Sequence, residues 1–330
     1  MSIRRAVSAA CVALIAIASA SSAQAYDQVI VFGDSLSDNG NLAAKFGGAV
    51  PAAPYFNGRF SNGPVAVEVL ATQLGLPLLD FAYGGAQTGT DNQFQAQNPL
   101  VANTGMKSQV TNFTSQLASS GKSADSSALY VVWGGGNDLL STLSNPTLSV
   151  VTVALTTAVT NLVTEVGTLY AAGARDFLIP LLPDLAYSYY GTSGQVPTSL
   201  LSNLSNAFNG SLTTQMNAFK STHADLNLSI FNTPSVLASA RADIAANGGN
   251  VTDRCWTGDY SGAGNTAPLC ADPSQYALFD KVHPTAVVHD ALGKAMAVSV
   301  TTAVPEPMTS GLMLVGLVFT GLAVRRQRAA

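Results

Sequence analysis

Metal-binding and charged side chains are scarce in this chain of 330 residues, which has three histidines and three cysteines. Only 10% of the residues carry a charge. The cysteines have no clustered pair of histidines beside them, which makes a zinc site improbable. The sequence also lacks a phosphate-binding glycine loop and the Gly-x-Ser-x-Gly signature of the α/β-hydrolases. It therefore predicts no metal, no cofactor and no α/β-hydrolase fold.

Basic residues are few between the two ends of the chain. Without the five arginines of the ends and Glu306, residues 26–304 keep ten basic and eighteen acidic residues, a net charge near −8. Such a surface repels the phosphate backbone of nucleic acids and anionic lipid. We therefore expect no nucleic-acid partner.

The first 25 residues have the three-part order of a secretory signal. Arg4 and Arg5 precede an apolar run from Ala6 to about Ala18, and a small-residue Ala23-Gln24-Ala25 end follows. A buried N-terminal helix does not need this order. We predict a signal peptide over residues 1–25, cleaved before Tyr26, and an exported mature protein.

The C-terminal end, residues 304–330, combines a Pro-Glu-Pro sequence, an uncharged run from Met308 to Val324 and a tail with three arginines. The run is at the lower limit of length for spanning a bilayer. This end closely resembles the PEP-CTERM sorting signal of Gram-negative bacteria. The resemblance implies transient inner-membrane attachment, processing by an exosortase-type enzyme and delivery to the cell surface or its extracellular polysaccharide. A plain single-span anchor is the alternative.

Two cysteines remain after removal of the signal, which contains Cys11. An even pair in an exported protein favours a disulfide between Cys255 and Cys270. Closing a loop of this length stabilises a fold by roughly 3 kcal/mol in the chain-entropy model.

Residues 26–303 contain no stretch of linker composition, so we expect one domain. Apolar strand-like runs alternate with longer segments of helical period, which predicts a three-layer α/β sandwich with a central five-stranded parallel sheet. The predicted strands are 28–32, 78–83, 128–133, 176–182 and 226–231. The predicted helices are 65–74, 106–118, 148–172, about 198–222, and 286–298. Residues 86–104 and 247–274 are expected to form long loops.

Polar sequences follow the first three predicted strands, and a fourth precedes the last predicted helix. Sites in folds of this kind lie beyond the carboxyl ends of the strands, so the four sequences are expected at one edge of the sheet. Taken alone, Ser35 could equally be an ordinary turn residue. The four sequences are GDSL at 33–36, FAYGGAQTG at 81–89, WGGGND at 133–138 and FDKVHPT at 279–285.

These four blocks, in this order, resemble the GDSL lipase and esterase family, the SGNH hydrolases. The segments GRFSNGP at 58–64 and LLPDLA at 181–186 also look like family segments. The resemblance covers nearly all of residues 28–300 and implies a flavodoxin-like fold. One departure is Ala66, where many relatives have tryptophan, which puts local packing in doubt.

The residue types indicate nucleophilic catalysis. A serine such as Ser35 needs a base within hydrogen-bond reach, and histidine suits that task. His283 is the candidate, because Asp280 precedes it by three residues and can orient its ring. His223 is expected to be a solvated helix residue, and His289 lies on the last predicted helix. A paired-carboxylate glycosidase site is not expected, because the available aspartates flank Ser35 on one turn.

The resemblance assigns the oxyanion hole to three donors. They are the backbone N–H groups of Ser35 and Gly85 and the side-chain amide of Asn137. A glycine lets the backbone approach a ligand closely, and an amide donates without adding charge.

We therefore expect an exported serine ester hydrolase that acts on a small-molecule or lipid ester through an acyl-enzyme. A deacetylase of surface polysaccharide is the enzymatic alternative. A non-catalytic adhesion or carbohydrate-binding protein is the other, but it should have lost a catalytic residue. The sequence does not determine acyl length, alcohol group or oligomeric state.

Overall fold

The computed structural model of the chain describes residues 26–258, 260 and 267–302. The predicted signal peptide and the predicted C-terminal sorting segment lie outside these residues.

A five-stranded parallel sheet forms the centre of the fold, with strand order β2-β1-β3-β4-β5. The predicted fold class and all five predicted strands are confirmed, with ends that differ by a few residues. The chain reverses its direction of winding at β1, which lies between β2 and β3, and ligands of doubly wound folds bind at such a point. The strands are β1 Val29–Gly33, β2 Leu78–Asp80, β3 Leu129–Trp133, β4 Asp176–Pro180 and β5 Asn227–Phe231.

Helices cover both faces of the sheet. Helices α3, α5 and α7 contribute to the core on one face, and α2, α8 and α9 contribute to the core on the other. The helices are α1 Asn41–Lys45, α2 Ala66–Leu74, α3 Met106–Ser119, α4 Gly136–Leu140, α5 Leu148–Ala172, α6 Tyr189–Thr192, α7 Thr198–Ser221, α8 Thr233–Ala246 and α9 Ala286–Thr302.

The apolar strand β1 is buried on both faces because successive side chains point to opposite sides of a sheet. Ile30 and Phe32 pack into one core, and Val29 and Val31 into the other. Burying each such side chain stabilises the fold by about 1.5 to 3 kcal/mol. The strand therefore provides a rigid support for the residues that follow Gly33.

Helix α5 is long and apolar enough to cross a membrane by length and composition. Its Val159, Leu162 and Val166 side chains are nevertheless buried in the core between the sheet and its neighbouring helices. This packing accounts for the apolar composition of its second half, whereas Leu148 and Val153 near its start are exposed.

The structure differs from the sequence prediction between β5 and α9. Helix α8 was not predicted, and the expected loop 247–274 contains β6, Asn250–Arg254, which pairs in parallel with β7, Tyr276–Leu278. Strand β6 has the sequence NVTDR and is partly exposed along its length. It therefore lacks the apolar run by which the central strands are recognised.

Candidate active site

Ser35 lies in the turn that leaves β1 at the carboxyl edge of the sheet. The turn closes through hydrogen bonds from the N–H groups of Ser37 and Asp38 to the carbonyl of Asp34, both 3.0 Å long. Gly33 is required before it, because a Cβ atom there would lie 2.7 Å from the carbonyl oxygen of Trp133. The close approach of β1 and β3 thus determines where the Ser35 turn begins.

Gln109 holds the end of β1, a role that the sequence analysis missed. Its side-chain amide accepts a hydrogen bond from the N–H of Gly33 and donates one to the carbonyl of Gly33, both 2.9 Å long. It also donates to the carbonyl of Thr104. A glutamine on the apolar face of α3, between Met106 and Phe113, was the available signal, since buried amides need partners.

The two aspartates that flank Ser35 have structural hydrogen bonds. Asp38 accepts from the N–H groups of Gly40, Asn41 and Leu42 and, at 2.7 Å, from that of Gly84. The last bond joins the Ser35 turn to the turn that carries Gly85. Burial raises the pKa of Asp38 to about 6, although its backbone hydrogen bonds act in the opposite direction.

Asp34 is also buried, and its carboxylate accepts a hydrogen bond from the N–H of Leu36. Burial raises the pKa of Asp34 to about 6, against the effect of this hydrogen bond. Both aspartates therefore shape the turn, and the structure shows no pair of opposed carboxylates here in the residues that it describes.

His283 connects Ser35 with Asp280. The distance from His283 Nε2 to Ser35 Oγ is 2.8 Å, and that from His283 Nδ1 to Asp280 Oδ2 is 2.7 Å. A carboxylate can only accept a hydrogen bond, so Nδ1 carries the hydrogen and Nε2 accepts from the serine hydroxyl. The structure thus brings together three of the predicted site residues across 248 residues of sequence.

Asp280 is ionised and fixed in place. Its Oδ1 accepts from the N–H groups of Val282 and His283, and its Oδ2 accepts from the Tyr55 hydroxyl at 2.5 Å. Burial acts to raise the pKa of Asp280, but the charge of His283 and the hydrogen bonds from His283 and Tyr55 outweigh it and lower the pKa. Nothing in the sequence around Tyr55 indicated this contact.

The GRFSNGP segment supports the loop of Asp280 and His283. The Phe60 ring lies 5.1 Å from the His283 ring, measured between centroids. The Ser61 hydroxyl donates to the carbonyl of Pro284, and the Asn62 side chain accepts from the N–H of Ala286. A segment that the sequence showed only as a family resemblance therefore positions the histidine loop.

The three predicted oxyanion donors lie around Ser35. Asn137 is buried at the start of α4 and donates one amide hydrogen to the carbonyl of Ala86, which leaves its second hydrogen for a ligand. The backbone N–H groups of Ser35 and Gly85 donate to no other group in the described part of the chain. Gly85 has a φ of 77°, a conformation that favours glycine.

Cys255 and Cys270 form a disulfide, with 4.8 Å between their Cα atoms. The N–H of Cys255 donates to the carbonyl of Leu278, and that of Trp256 donates to the carbonyl of Phe279. The disulfide therefore lies against the strand that leads directly to Asp280.

The other two histidines do not contact Ser35. His223 is half-buried just beyond the end of α7, and its ring stacks on Phe219 with 4.0 Å between the centroids. The two residues are four positions apart, the spacing that brings side chains together at a helix end. His289 is fully buried on α9, and its Nδ1 accepts from the N–H of Ala66. Burial lowers the pKa of His289 to about 3.

Two clefts meet at Ser35, Asn137 and His283. The apolar cleft has six leucines in its walls, with Asp184, Ser188 and Arg241 among the polar residues that line the rest. The aromatic cleft has aromatic walls with Gln93 and Lys281 beside them. Leucines 36, 140, 182, 185, 237 and 278 line the first, and Phe60, Phe94, Tyr190 and Tyr260 line the second.

A sequence profile of the GDSL-like lipase/acylhydrolase family matches residues 29–296. The protein belongs to this family. The matched region includes the whole central sheet, Ser35 and the Asp280–His283 loop. The family predicted from the four sequence blocks is therefore confirmed, and with it the class of carboxylic ester hydrolases.

Relatives of this GDSL-like protein include enzymes named for ester chemistry. The phosphatidylcholine-sterol acyltransferase of Aeromonas hydrophila is 27% identical, over 86% of this chain and 92% of its own length. The esterase EstA of Pseudomonas aeruginosa is 30% identical over 86% of this chain, which spans about half of EstA, 48% of its length. A solved lipase from a goat rumen metagenome is 15% identical, with a TM-score of 0.45 over 83% of this chain and 97% of that one.

Proposed function

We propose that the protein is an exported serine ester hydrolase that works through an acyl-enzyme on Ser35. The observation that carries the proposal is the continuous hydrogen-bond chain from Ser35 through His283 to Asp280, at 2.8 and 2.7 Å. Serine hydrolases use this arrangement to activate the hydroxyl. The presence of all three side chains also argues against a non-catalytic adhesion protein.

In the proposed reaction, Ser35 Oγ attacks the ester carbonyl carbon while its proton moves to His283 Nε2. The negative oxygen that forms is stabilised by the N–H groups of Ser35 and Gly85 and by the Asn137 amide. Collapse of this intermediate breaks the bond to the alcohol oxygen, which takes the proton from Nε2. Water then attacks the acyl-enzyme, again with His283 as base, and the acid is released.

The two clefts suggest how the two parts of an ester are accommodated. We assign the acyl chain to the apolar cleft, because its leucine-lined wall gains most from burying hydrocarbon. We assign the alcohol to the aromatic cleft, where Gln93 and Lys281 offer polar groups beside aromatic rings. The names of the Aeromonas acyltransferase and the Pseudomonas esterase are consistent with a lipid or small-molecule ester.

A panel of esters with acyl chains of increasing length tests this assignment. We expect Leu237→Trp, which narrows the apolar cleft, to lower the turnover of long-chain esters by about 10- to 100-fold while acetate esters are spared. Leu200→Trp, on an exposed part of α7, is the matched control. An equal loss for acetate and long-chain esters would place the acyl chain elsewhere.

A polysaccharide deacetylase is the second candidate, favoured by the aromatic cleft and the predicted sorting signal. A sugar is a polyhydroxylated alcohol, and aromatic faces with polar groups nearby suit it. The same ester panel, run beside an acetylated polysaccharide, separates the two candidates. Faster release of acetate from the polymer than of any acid from the small esters would select the deacetylase.

Activity should fall on the acid side as His283 becomes protonated, because a charged imidazole cannot accept the Ser35 proton. Measurement of kcat/KM from about pH 4 to pH 8 tests the role of this base. A profile without an acid limb would exclude His283 as the base.

We further propose that the working protein lacks both apolar ends and is delivered to the cell surface of a Gram-negative bacterium. The support is the signal-like order of residues 1–25 and the resemblance of residues 304–330 to a PEP-CTERM signal. An exosortase-type enzyme would remove the tail, and extracellular polysaccharide would be a partner. Mass spectrometry should find a mature chain that begins at Tyr26 and ends near Val304 to Pro307. An intact tail through Ala330 would indicate a permanent anchor.

A further inference from the structure

Tyr55 makes a contact in the site that the proposed reaction does not use. Its hydroxyl donates to Asp280 Oδ2 at 2.5 Å, and this is the same oxygen that lies 2.7 Å from His283 Nδ1. Two donors therefore share one carboxylate oxygen. Asp280 Oδ1 is engaged separately, by the backbone N–H groups of Val282 and His283.

The position of the Tyr55 hydroxyl is fixed by the packing of its ring. Tyr55 is buried, and its ring has edge contacts with Trp256 at 5.0 Å and with Phe279 at 5.2 Å, measured between centroids. Phe60 contributes a third edge contact. An aromatic ring held on several sides loses little further freedom when its hydroxyl donates, so the hydrogen bond is preorganised.

We infer that Tyr55 is a positioning residue that acts on His283 through Asp280. By drawing charge from Oδ2, the Tyr55 hydroxyl limits how strongly the carboxylate stabilises a protonated His283. It also fixes the position of Oδ2, which in turn orients Nδ1. The first effect favours the neutral imidazole that can accept the Ser35 proton, and the second keeps Nε2 directed at Ser35.

Other ionisable groups that interact with His283 are distinct from this contact. Asp34 and His289 are close enough to interact with its charge, and the Tyr260 ring lies 5.9 Å away. The interactions of these three groups with His283 do not involve the Tyr55 hydroxyl, so its removal leaves them in place. A change in the acid limb after that removal therefore reports on Asp280.

The test is the pH dependence of kcat/KM in Tyr55→Phe, which keeps the ring and removes the donor. We expect the acid limb to move to higher pH by about one unit, since hydrogen bonds to charged groups commonly have this strength. KM for a short ester should be unchanged. A limb that coincides with that of the wild type would overturn the inference, even if stability has fallen.

Tyr170→Phe is a matched control. The Tyr170 hydroxyl donates to Asp225 at the same distance, 2.5 Å, but this pair lies on the exposed surface, and Asp225 pairs with Arg175. The substitution removes the same kind of hydrogen bond away from Ser35. Its pH profile should coincide with that of the wild type, and a shift equal to that of Tyr55→Phe would overturn the inference.

A second variant covers the case in which Tyr55→Phe does not fold. A fluorinated tyrosine at position 55 keeps the packing and is a stronger donor, so the acid limb should move to lower pH. No movement would contradict the positioning role.

The inference rests on the proposed function, and the two fail differently. If Ser35→Ala retains activity, the proposed function is wrong. If Ser35→Ala is inactive but neither Tyr55 variant moves the acid limb, only the role of Tyr55 is wrong.

Discussion

Ser35 follows a buried strand in the centre of the sheet, whereas Asp280 and His283 lie on a loop that follows the short outer strand β7. The nucleophile side, residues 33–38 with Gln109, is held by backbone geometry and one buried amide. The base side, residues 276–285 with segment 55–62 and the disulfide, is held by side chains from distant parts of the chain. A site of this kind can be damaged on one side while the other keeps its form.

The largest expected effect comes from removing the nucleophile itself. Ser35→Ala should lower ester turnover by several orders of magnitude, because no acyl-enzyme can form. The thermal unfolding of the variant should be nearly unchanged, since the turn is held by its neighbours. Ordinary activity in the purified variant would disprove the role of Ser35.

Asn137 lies on neither side of this comparison and is expected to act on the transition state. Asn137→Ala should lower kcat about 10²- to 10³-fold with a smaller effect on KM. Steady-state kinetics on one ester gives both values. A change in KM alone would indicate that Asn137 positions the substrate in the ground state.

Gln109→Leu should destabilise the nucleophile side without changing the reacting atoms. It leaves the N–H of Gly33 and the carbonyl of Thr104 without a partner, and each orphaned group costs roughly 1 to 3 kcal/mol. The carbonyl of Gly33 keeps its hydrogen bond from the N–H of Tyr83. Chemical denaturation should therefore show a large loss in the free energy of unfolding. The acid limb of the pH profile should stay in place, in contrast to that of Tyr55→Phe. A loss in the free energy of unfolding below about 1 kcal/mol would show that water replaces the amide.

Reducing the disulfide should loosen the base side. The loss of stability is expected to be roughly 3 kcal/mol. Activity should fall before global unfolding, because Cys255 and Trp256 are hydrogen-bonded to the strand that leads to Asp280. Activity that follows global unfolding at every denaturant concentration would contradict this coupling, and a Cys255→Ser, Cys270→Ser variant provides the comparison without reductant.

The smallest effect, a change in the pH dependence of stability, is expected for Glu165, which is buried on α5. Its carboxylate oxygens are buried without a hydrogen-bond partner in the described residues. Burial, and next the charge of Asp138, raise the pKa of Glu165 well above its usual value. A raised pKa in the folded state means that stability is full below the unfolded pKa and falls as the pH rises toward the folded one.

Glu165→Gln removes this ionisation and keeps the shape of the side chain. The free energy of unfolding should then decline less steeply between about pH 5 and pH 8 than in the wild type. Asp243→Asn, exposed on α8, is the control. Equal slopes in wild type and Glu165→Gln would show that Glu165 binds protons equally in the folded and unfolded states, so that its pKa is not raised by folding.

The two sides also differ in how far the sequence could predict them. Ser35 stood out because an apolar strand ended in a Gly-Asp-Ser turn, which is a local signal. His283 followed from its spacing to Asp280 together with the family resemblance. Tyr55 gave no signal, because its contact with Asp280 spans 225 residues and depends on how aromatic rings pack. Strand β6 and helix α8 were missed for the related reason that their apolar patterns are weak.

The distance of 248 residues between Ser35 and His283 places the assembly of the site late in biosynthesis. At translation rates of about 5 to 20 residues per second, His283 follows Ser35 out of the ribosome after roughly 10 to 50 seconds. During that interval the Asp34–Asp38 turn has its own hydrogen bonds, but the serine hydroxyl has no base. A nascent chain that ends before His283 therefore has no activated serine. The enzyme becomes active only when β7 and α9, the last elements of the domain, have been delivered and packed.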